Sequence, residues 1–427
     1  MPVVAVIGAQ FGDEAKGKII DLLAEKANVV ARFSGGNNAG HTVINQFGEF
    51  KMTLVPCGIF HPDTLCLIGN GVVINPAALL DEMRLLTERN VSVEKLVVSE
   101  RAHLVMPYHI LLDGLEEKAR GSAAIGTTQR GIGPAYADKV ARSGIRAGDL
   151  LDKKGLKSKL EIVLNQKNDL LTKLYGASPL SMEEVYRQCC EYSERLASFI
   201  GDTEALAHEA LARDEVVLLE GAQGTLLDID FGTYPYVTSS SPAAGGACIG
   251  LGLSPTQIDR IIGVFKAYTS RVGGGPMVTE LKDETGDLIR ERGQEYGTVT
   301  RRPRRCGWFD AVAGRFSARI NGFTGVALTR LDVLDVFPTI KICTAYTIDG
   351  MICDRFPSSV DTLEKCEPVY EEMAGWQTPI GDIRTFDGLP SKAKAYVRRL
   401  EELIGCPIDL ISVGARREQS IFVRPIL

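Results

Sequence analysis

The chain has 427 residues, 45% hydrophobic and 24% charged, with 48 Lys and Arg against 54 Asp and Glu for a formal net charge of −6. This composition excludes wholesale disorder and collagen-like repeats, and the acidic balance argues against a general nucleic-acid binder. No apolar run approaches the roughly 18 residues of a membrane span, and the N-terminus lacks the basic segment, apolar core and cleavage site of a secretory signal, so a cytoplasmic protein is expected.

In chain order, the run VVAVI at 3–7 is β-branched and apolar at successive positions, as a strand buried on both faces of a parallel sheet should be. A Gly-rich turn, a helix-like segment at 19–26 and a second apolar run at 29–33 complete a βαβ pattern. Similar runs stand at 65–68, 96–98, 216–219, 261–265 and 326–328, separated by segments long enough for helices. Amphipathic helices are readable at 156–175, 182–200 and 392–403. The pattern predicts an α/β fold built on a doubly wound, mostly parallel sheet. With no repeat, low-complexity tract or linker, residues 1–427 read as one domain with elaborate loops. The ten cysteines show no C-x-x-C pair and are expected as free, mostly buried thiols. The five histidines show no spacing suited to zinc. Glycines gather in turns at 35–40, 121–133, 221–224, 244–252 and 273–275, where function is expected.

Gly12, Asp13, Glu14, Ala15, Lys16, Gly17 and Lys18 fit G-x-x-x-x-G-K between a strand and a helix. Backbone N–H groups of such a loop and the helix N-terminus face phosphate oxygens. Ile19 replaces the Ser or Thr that holds Mg²⁺ in an ordinary loop of this kind, so another oxygen is needed, and Asp13 can serve the metal or act as a base toward a second substrate. The next loop, SGGNNAGHT at 34–42, should adjoin the first, and His41 can then donate to a phosphate oxygen. The hydroxyls of Thr127 and Thr128, with Arg142 and Arg146 close behind, suit a nucleoside monophosphate. In the segment 220–241, Gln223 can pair with a purine edge and Thr238 can hold phosphate. The run GTVTRRPRRCGW at 297–308 suits a small dianion better than a nucleic acid, and in extended backbone Arg302 and Arg304 project to one face. Asp332, just beyond the apolar run 326–328, is either a capping or salt-bridging carboxylate or a partner for the N1–H and exocyclic amine of guanine, which would select GTP over ATP.

Together these segments, from VIGAQFGDEAKGK through GGNNAGHT, GTTQRGIGPAYADK, EGAQGTLLDIDFGTYPYVTSS, KAYTSRVGGGP, RPRRCGWFD and TRLDVLD to VGARREQSI, resemble the adenylosuccinate synthetase family of full-length bacterial type. The resemblance implies a P-loop-related α/β homodimer that converts IMP, L-aspartate and GTP to adenylosuccinate, GDP and phosphate. It implies Asp13 as the base on N1 of IMP, His41 as the acid that steadies the transferring phosphoryl group, and Gln223 as a third catalytic residue. Asp13 and the Gly40 carbonyl would hold one Mg²⁺ per subunit. IMP would contact Asp13, Lys16, Asn38, Ala39, Gly40, His41, Thr128, Gln223, Thr238 and Arg302, with Arg142 supplied across the dimer. Aspartate would meet Thr298, Val299, Thr300, Arg301, Arg302 and Arg304. GTP would rest on residues 12–18, Gly40, His41 and Thr42, on Arg304, on Arg330, Leu331 and Asp332, and on Ser412, Val413 and Gly414. No nucleic acid or membrane partner is implied.

The chain departs from the family pattern at several of these positions. Ala15 stands where Gly is usual, placing a Cβ near the phosphates at a residue that does not readily take positive φ. Arg330 replaces Lys, Val299 and Arg301 replace Thr and Gly, and Ala415 and Arg416 replace Pro and Asp. Two alternatives follow: a related ligase with a different amine donor or purine monophosphate, and a GTP-binding regulatory paralogue using the phosphate loop alone.

Overall fold

The computed structural model describes residues 3–45, 47–297 and 303–427. The apolar runs, with β5, β9 and β10 added, form a 10-stranded sheet of β1 (Val3–Gly8), β2 (Val29–Arg32), β3 (Leu65–Ile68), β4 (Leu96–Ser99), β5 (Ile200–Gly201), β6 (Val217–Glu220), β7 (Arg260–Lys266), β8 (Gly325–Thr329), β9 (Ile408–Ser412) and β10 (Ser420–Phe422). The strand order is β10-β9-β8-β7-β1-β6-β2-β3-β4-β5. Neighbours run parallel except at the edge, where β10 pairs antiparallel with β9. The doubly wound expectation is thus met, with one antiparallel edge strand added.

Both faces of the sheet are dry. Along β1, Val4 and Val6 enter one core while Val3, Ala5 and Ile7 enter another on the opposite face. Complete burial of such side chains stabilises by roughly 1.5–3 kcal/mol each, so a register slip on β1 would exchange two packed faces at once. The helix expected from residue 19 begins earlier, as Lys16–Ala24, directly out of the loop after β1. The expected helix 156–175 is α-helical over Lys153–Asp169 and then widens into a π turn at Leu170–Leu174. The other two appear as Met182–Leu196 and Ser391–Ile404.

A second, four-stranded sheet was not anticipated from the sequence. Thr339–Ile348 pairs parallel with Phe309–Asp310 and antiparallel with Met351–Cys353 and Glu367–Ala374. His41–Asn45 and Gly48–Met52 form a separate two-stranded ribbon that carries His41 as its first residue. All ten cysteines are free, and no helix among the described residues is long and apolar enough to cross a membrane. Loops following β1, β2, β6, β7, β8 and β9 leave the carboxyl edge of the sheet, where open α/β sheets bind ligands.

Candidate active site

The loop between β1 and the helix Lys16–Ala24 is wound left-handed: φ is 82° at Gly12, 59° at Asp13 and 64° at Ala15. Ala15 therefore adopts the conformation its Cβ was expected to resist. It caps the helix without a side-chain hydrogen bond, so the first N–H groups remain for an anion. Glu14 braces the loop from inside. Its Oε1 accepts the N–H of Gln10 at 3.0 Å and of Gly12 at 2.8 Å, and its Oε2 accepts Lys16 Nζ at 2.6 Å. Lys16 Nζ also donates to the Gln223 carbonyl at 2.5 Å, joining this loop to the one after β6. The approach requires glycine at position 8, where a Cβ would lie 2.2 Å from the Gln223 carbonyl oxygen.

Lys18 stands at the motif's lysine position but turns to the far C-terminal segment. Its Nζ donates to Ser412 Oγ at 2.7 Å and to the carbonyls of Gly414 at 2.8 Å and Gln419 at 2.9 Å. Burial pushes this ammonium down to about 7, opposed by the nearby Asp332 carboxylate. The phosphate loop and the segment carrying Ser412, Val413 and Gly414 are thereby joined through one side chain.

On one flank of the loop, Gln223, itself at φ 53°, donates through Nε2 to Asn38 Oδ1 at 3.2 Å. Its Oε1 is buried without a hydrogen-bond partner among the described residues. His41 packs over Gly17, where an added Cβ would lie 3.1 Å from the imidazole Cδ2. Its Nε2 is 3.1 Å from Cys57 Sγ and 4.0 Å from Glu220 Oε1. Burial, helped by Arg32 and Lys16, holds His41 down at about 3, so the ring is neutral at physiological pH. Ala39 and Gly40 are half-buried beside it, and Thr42 is exposed.

On the other flank, Asp13 Oδ2 receives Arg304 Nη2 at 2.9 Å, with about a third of the Asp13 side chain exposed. Arg304 Nη1 donates to Glu295 Oε2 at 2.7 Å, and Glu295 Oε1 accepts Lys266 Nζ at 2.6 Å and the Tyr268 hydroxyl at 2.5 Å. Burial alone would raise the Glu295 carboxyl, but Lys266 and Arg304 bring it down to about 2. Arg304 is thus directed inward to two carboxylates. Thr298, Val299, Thr300, Arg301 and Arg302 lie outside the described residues.

Thr128 is exposed on a loop anchored by two carboxylates of the helix Pro107–Arg120. Glu117 accepts the N–H groups of Ile125, Gly126 and Thr127 at 3.2, 2.8 and 3.1 Å, and Asp113 accepts the Thr127 hydroxyl and the Gly131 N–H, each at 2.8 Å. The hydroxyl of Tyr136 receives the Gly35 N–H at 3.1 Å and donates to the Gly71 carbonyl at 2.7 Å, tying this segment to the loop after β2. Buried Thr238 lies 3.3 Å from Ser240 through their hydroxyls. Arg142 ends the helix Ile132–Ala141 at φ 64° and is exposed.

Beyond β8, Arg330 takes φ 61° and donates through Nη1 to the Gly293 carbonyl at 3.0 Å. Leu331 is buried, and Asp332 Oδ1 is buried without a hydrogen-bond partner among the described residues. Burial raises the Asp332 carboxyl, with Arg330 opposing. No side chain caps the short turn Leu331–Leu334, so the capping role considered for Asp332 is not the one it takes here.

Several contributors went unread in the sequence. Asp113 and Glu117 carried a usable signal, two acids four residues apart on one helix face. Glu220, Lys266 and Glu295 stood inside or beside noticed motifs, and Glu14 was read only as part of the phosphate loop; the fold shows which cations and amides they hold. Cys57 offered no signal at all.

The chain matches the adenylosuccinate synthetase family profile over residues 5–421. An adenylosuccinate synthetase of Dehalococcoides mccartyi is 56% identical over 422 residues, spanning 99% of this chain and all of the relative. One from Carboxydothermus hydrogenoformans is 54% identical over 423 residues, with 99% of each covered. The structure of a fully ligated adenylosuccinate synthetase from Plasmodium falciparum superposes with a TM-score of 0.93 at 37% identity, covering 99% of this chain and all of that one. With this sheet, this left-handed loop and this full-length similarity, the chain belongs to the adenylosuccinate synthetase family, the GTP-dependent carbon–nitrogen ligases that join L-aspartate to IMP in AMP synthesis.

Proposed function

We propose that Asp13 and His41 divide the chemistry, on the observation that they flank one left-handed loop, Asp13 against the Arg304 guanidinium and His41 against Gly17. Asp13, paired with Arg304 at 2.9 Å, takes the N1 proton of IMP, and the O6 atom then attacks the γ-phosphate of GTP. His41, neutral in its pocket, supplies a ring N–H to the transferring phosphoryl group as a hydrogen-bond donor. The amine of aspartate next displaces phosphate from C6, a substitution that hydroxide as leaving group would not permit.

IMP is assigned to Lys16, Asn38, Ala39, Gly40, Thr128, Gln223, Thr238 and Arg302, and the unpartnered Gln223 Oε1 supports a ligand at that point. Aspartate is assigned to residues 298–302 and Arg304. GTP is assigned to residues 12–18, Gly40, His41, Thr42, Arg304, Arg330–Asp332 and Ser412–Gly414, with the buried, unpartnered oxygen of Asp332 as the guanine contact. One Mg²⁺ is assigned to the part-exposed Asp13 carboxylate and the Gly40 carbonyl, the class of hard oxygen donor this ion takes alongside phosphate oxygens. When bound, the ion neutralises charge on the β- and γ-phosphates.

We assign the whole of 1–427 to one domain acting as a cytoplasmic homodimer; the exposed Arg142 would complete the IMP site of a second copy, and ten free thiols suit a reducing compartment. Phosphate release with Mg²⁺, GTP and IMP, with and without L-aspartate, tests the reading alongside the purine absorbance change. Release should require both IMP and aspartate, and ATP should not replace GTP. Release without IMP would support a GTP switch instead, and release with another amino acid would mean that Val299 and Arg301 mark a changed substrate.

A further inference from the structure

His41, Cys57 and Glu220 arrive from three separate elements: the start of the ribbon strand His41–Asn45, the start of the 3₁₀ turn Cys57–Phe60 and the last residue of β6. One ligand atom from each lies within 4.8 Å of the others. His41 Nε2 is 3.1 Å from Cys57 Sγ and 4.0 Å from Glu220 Oε1. The second Glu220 oxygen accepts the Cys57 N–H at 2.8 Å, which fixes thiol and carboxylate relative to each other. Zinc binds sulfur at about 2.3 Å and nitrogen or oxygen at about 2.0–2.2 Å in tetrahedral geometry. Ligand atoms around it therefore stand about 3.3–3.7 Å apart, between the 3.1 Å from His41 to Cys57 and the 4.0 Å from His41 to Glu220, and inside the 4.8 Å that bounds the whole set.

The donor set is selective. One thiolate and one imidazole favour zinc over magnesium, which takes oxygen. Thiolate and carboxylate together balance the dication, so the assembly is electrically neutral in a pocket where Cys57 is 0% and Glu220 3% exposed. Arg32 and Lys16 also face the group. These atoms are distinct from Asp13 and the Gly40 carbonyl.

We propose that, without substrates, the protein binds one zinc ion at His41 Nε2, Cys57 Sγ and a Glu220 oxygen, with solvent as fourth ligand, and that the ion holds His41 inward and inhibits the ligase. On binding, the Cys57 thiol gives its proton to solvent as the sulfur–zinc bond forms, and nothing is oxidised or reduced. The inhibition rests on the role assigned to His41 above; the binding does not.

Cobalt titration of chelator-treated protein tests the site directly. One equivalent should produce a thiolate-to-cobalt charge-transfer band and visible bands of a tetrahedral ion, both erased by zinc. Cys57→Ser should remove the band, while Cys66→Ser should keep it. Relative to its own turnover in chelated buffer, Cys57→Ser should need at least tenfold more zinc for inhibition than the wild type. Should that variant fail to fold, X-ray absorption on zinc-loaded wild type serves instead, with one sulfur at about 2.3 Å expected. No thiolate band, a band unchanged in Cys57→Ser, or zero or several sulfurs at zinc would overturn the site. A normal cobalt band with undiminished turnover in zinc would overturn the inhibition, and with it the part given to His41.

Discussion

The phosphate loop has two flanks that hold their reactive side chains by opposite means. On the Asp13 flank the order is ionic: Arg304 spans Asp13 and Glu295, and Glu295 in turn holds buried Lys266. On the His41 flank the groups are governed by burial: it lowers the imidazole and raises the Cys57 thiol and the Glu220 carboxyl. A buried ionic network keeps each charge by its neighbours, so losing one member strands another. A pocket ordered by exclusion of water yields to protons and metal ions more readily than to loss of one contact.

The comparison breaks first at Asp13. Asp13→Asn keeps a residue type that tolerates the left-handed conformation but removes the base and a proposed metal ligand together. Turnover should fall roughly 10³- to 10⁴-fold with the circular dichroism spectrum and melting temperature near wild type; substantial remaining activity would remove Asp13 from both roles. Glu295→Gln attacks the same flank from behind. It leaves Lys266 and Arg304 without their shared carboxylate, and denaturant titration should show a loss of about 3–5 kcal/mol. A loss under about 1 kcal/mol would mean that water or rearrangement screens the network.

How much of this was legible in the sequence depends on how local the interaction is. Seven of the parallel strands were, because burial on both faces demands continuous apolar runs, though Ile200–Gly201, read as the end of a helix, and Ile408–Ser412 were not; so was the phosphate loop, whose glycines and lysines are neighbours. Thr339–Ile348 was not: an antiparallel strand with a wet face intersperses Lys341, Thr344 and Thr347 among apolar residues and leaves no such run. Lys18 fitted the phosphate motif, yet its partners lie 394 to 401 residues away. The His41 pocket was invisible to ligand spacing because Cys57 and Glu220 are 163 residues apart and meet only when β6 pairs beside β2. Motif reading finds the residues that face a ligand; the side chains that brace them need the fold.

Two measurements sharpen the contrast in charge. Asp332→Asn should lower kcat/KM for GTP by about 10- to 100-fold, the loss of hydrogen bonds to a charged group, while leaving the KM for IMP unchanged; equal effects on both would remove Asp332 from guanine recognition. For His41 the sign follows from a folded value near 3 against 6.5 in the free side chain. The unfolded chain binds the extra proton between these values, so the His41 contribution is fully present above pH 6.5 and is lost as pH falls toward 3. His41→Asn should therefore flatten the acid limb of stability, with the wild-type minus variant slope reaching at most about 1.4 kcal/mol per pH unit. Parallel limbs would show that His41 is charged or solvated in the folded protein.

The smallest effect concerns the residue between the flanks. Ala15 sits at φ 64° and ψ 33°, where an L side chain costs roughly 1–2 kcal/mol. Ala15→Gly removes that cost but enlarges the freedom of the unfolded chain by roughly 0.5–1 kcal/mol, so a net gain of about 0.5 kcal/mol is expected in denaturant titration. The sign carries the information. A gain means that the bracing by Glu14, Lys16 and Gln223 holds the alanine in left-handed backbone. A loss of about 0.5–1 kcal/mol, the unfolded-chain freedom of glycine with no strain relieved to offset it, would mean that the loop relaxes to negative φ and that the two flanks are less rigidly joined.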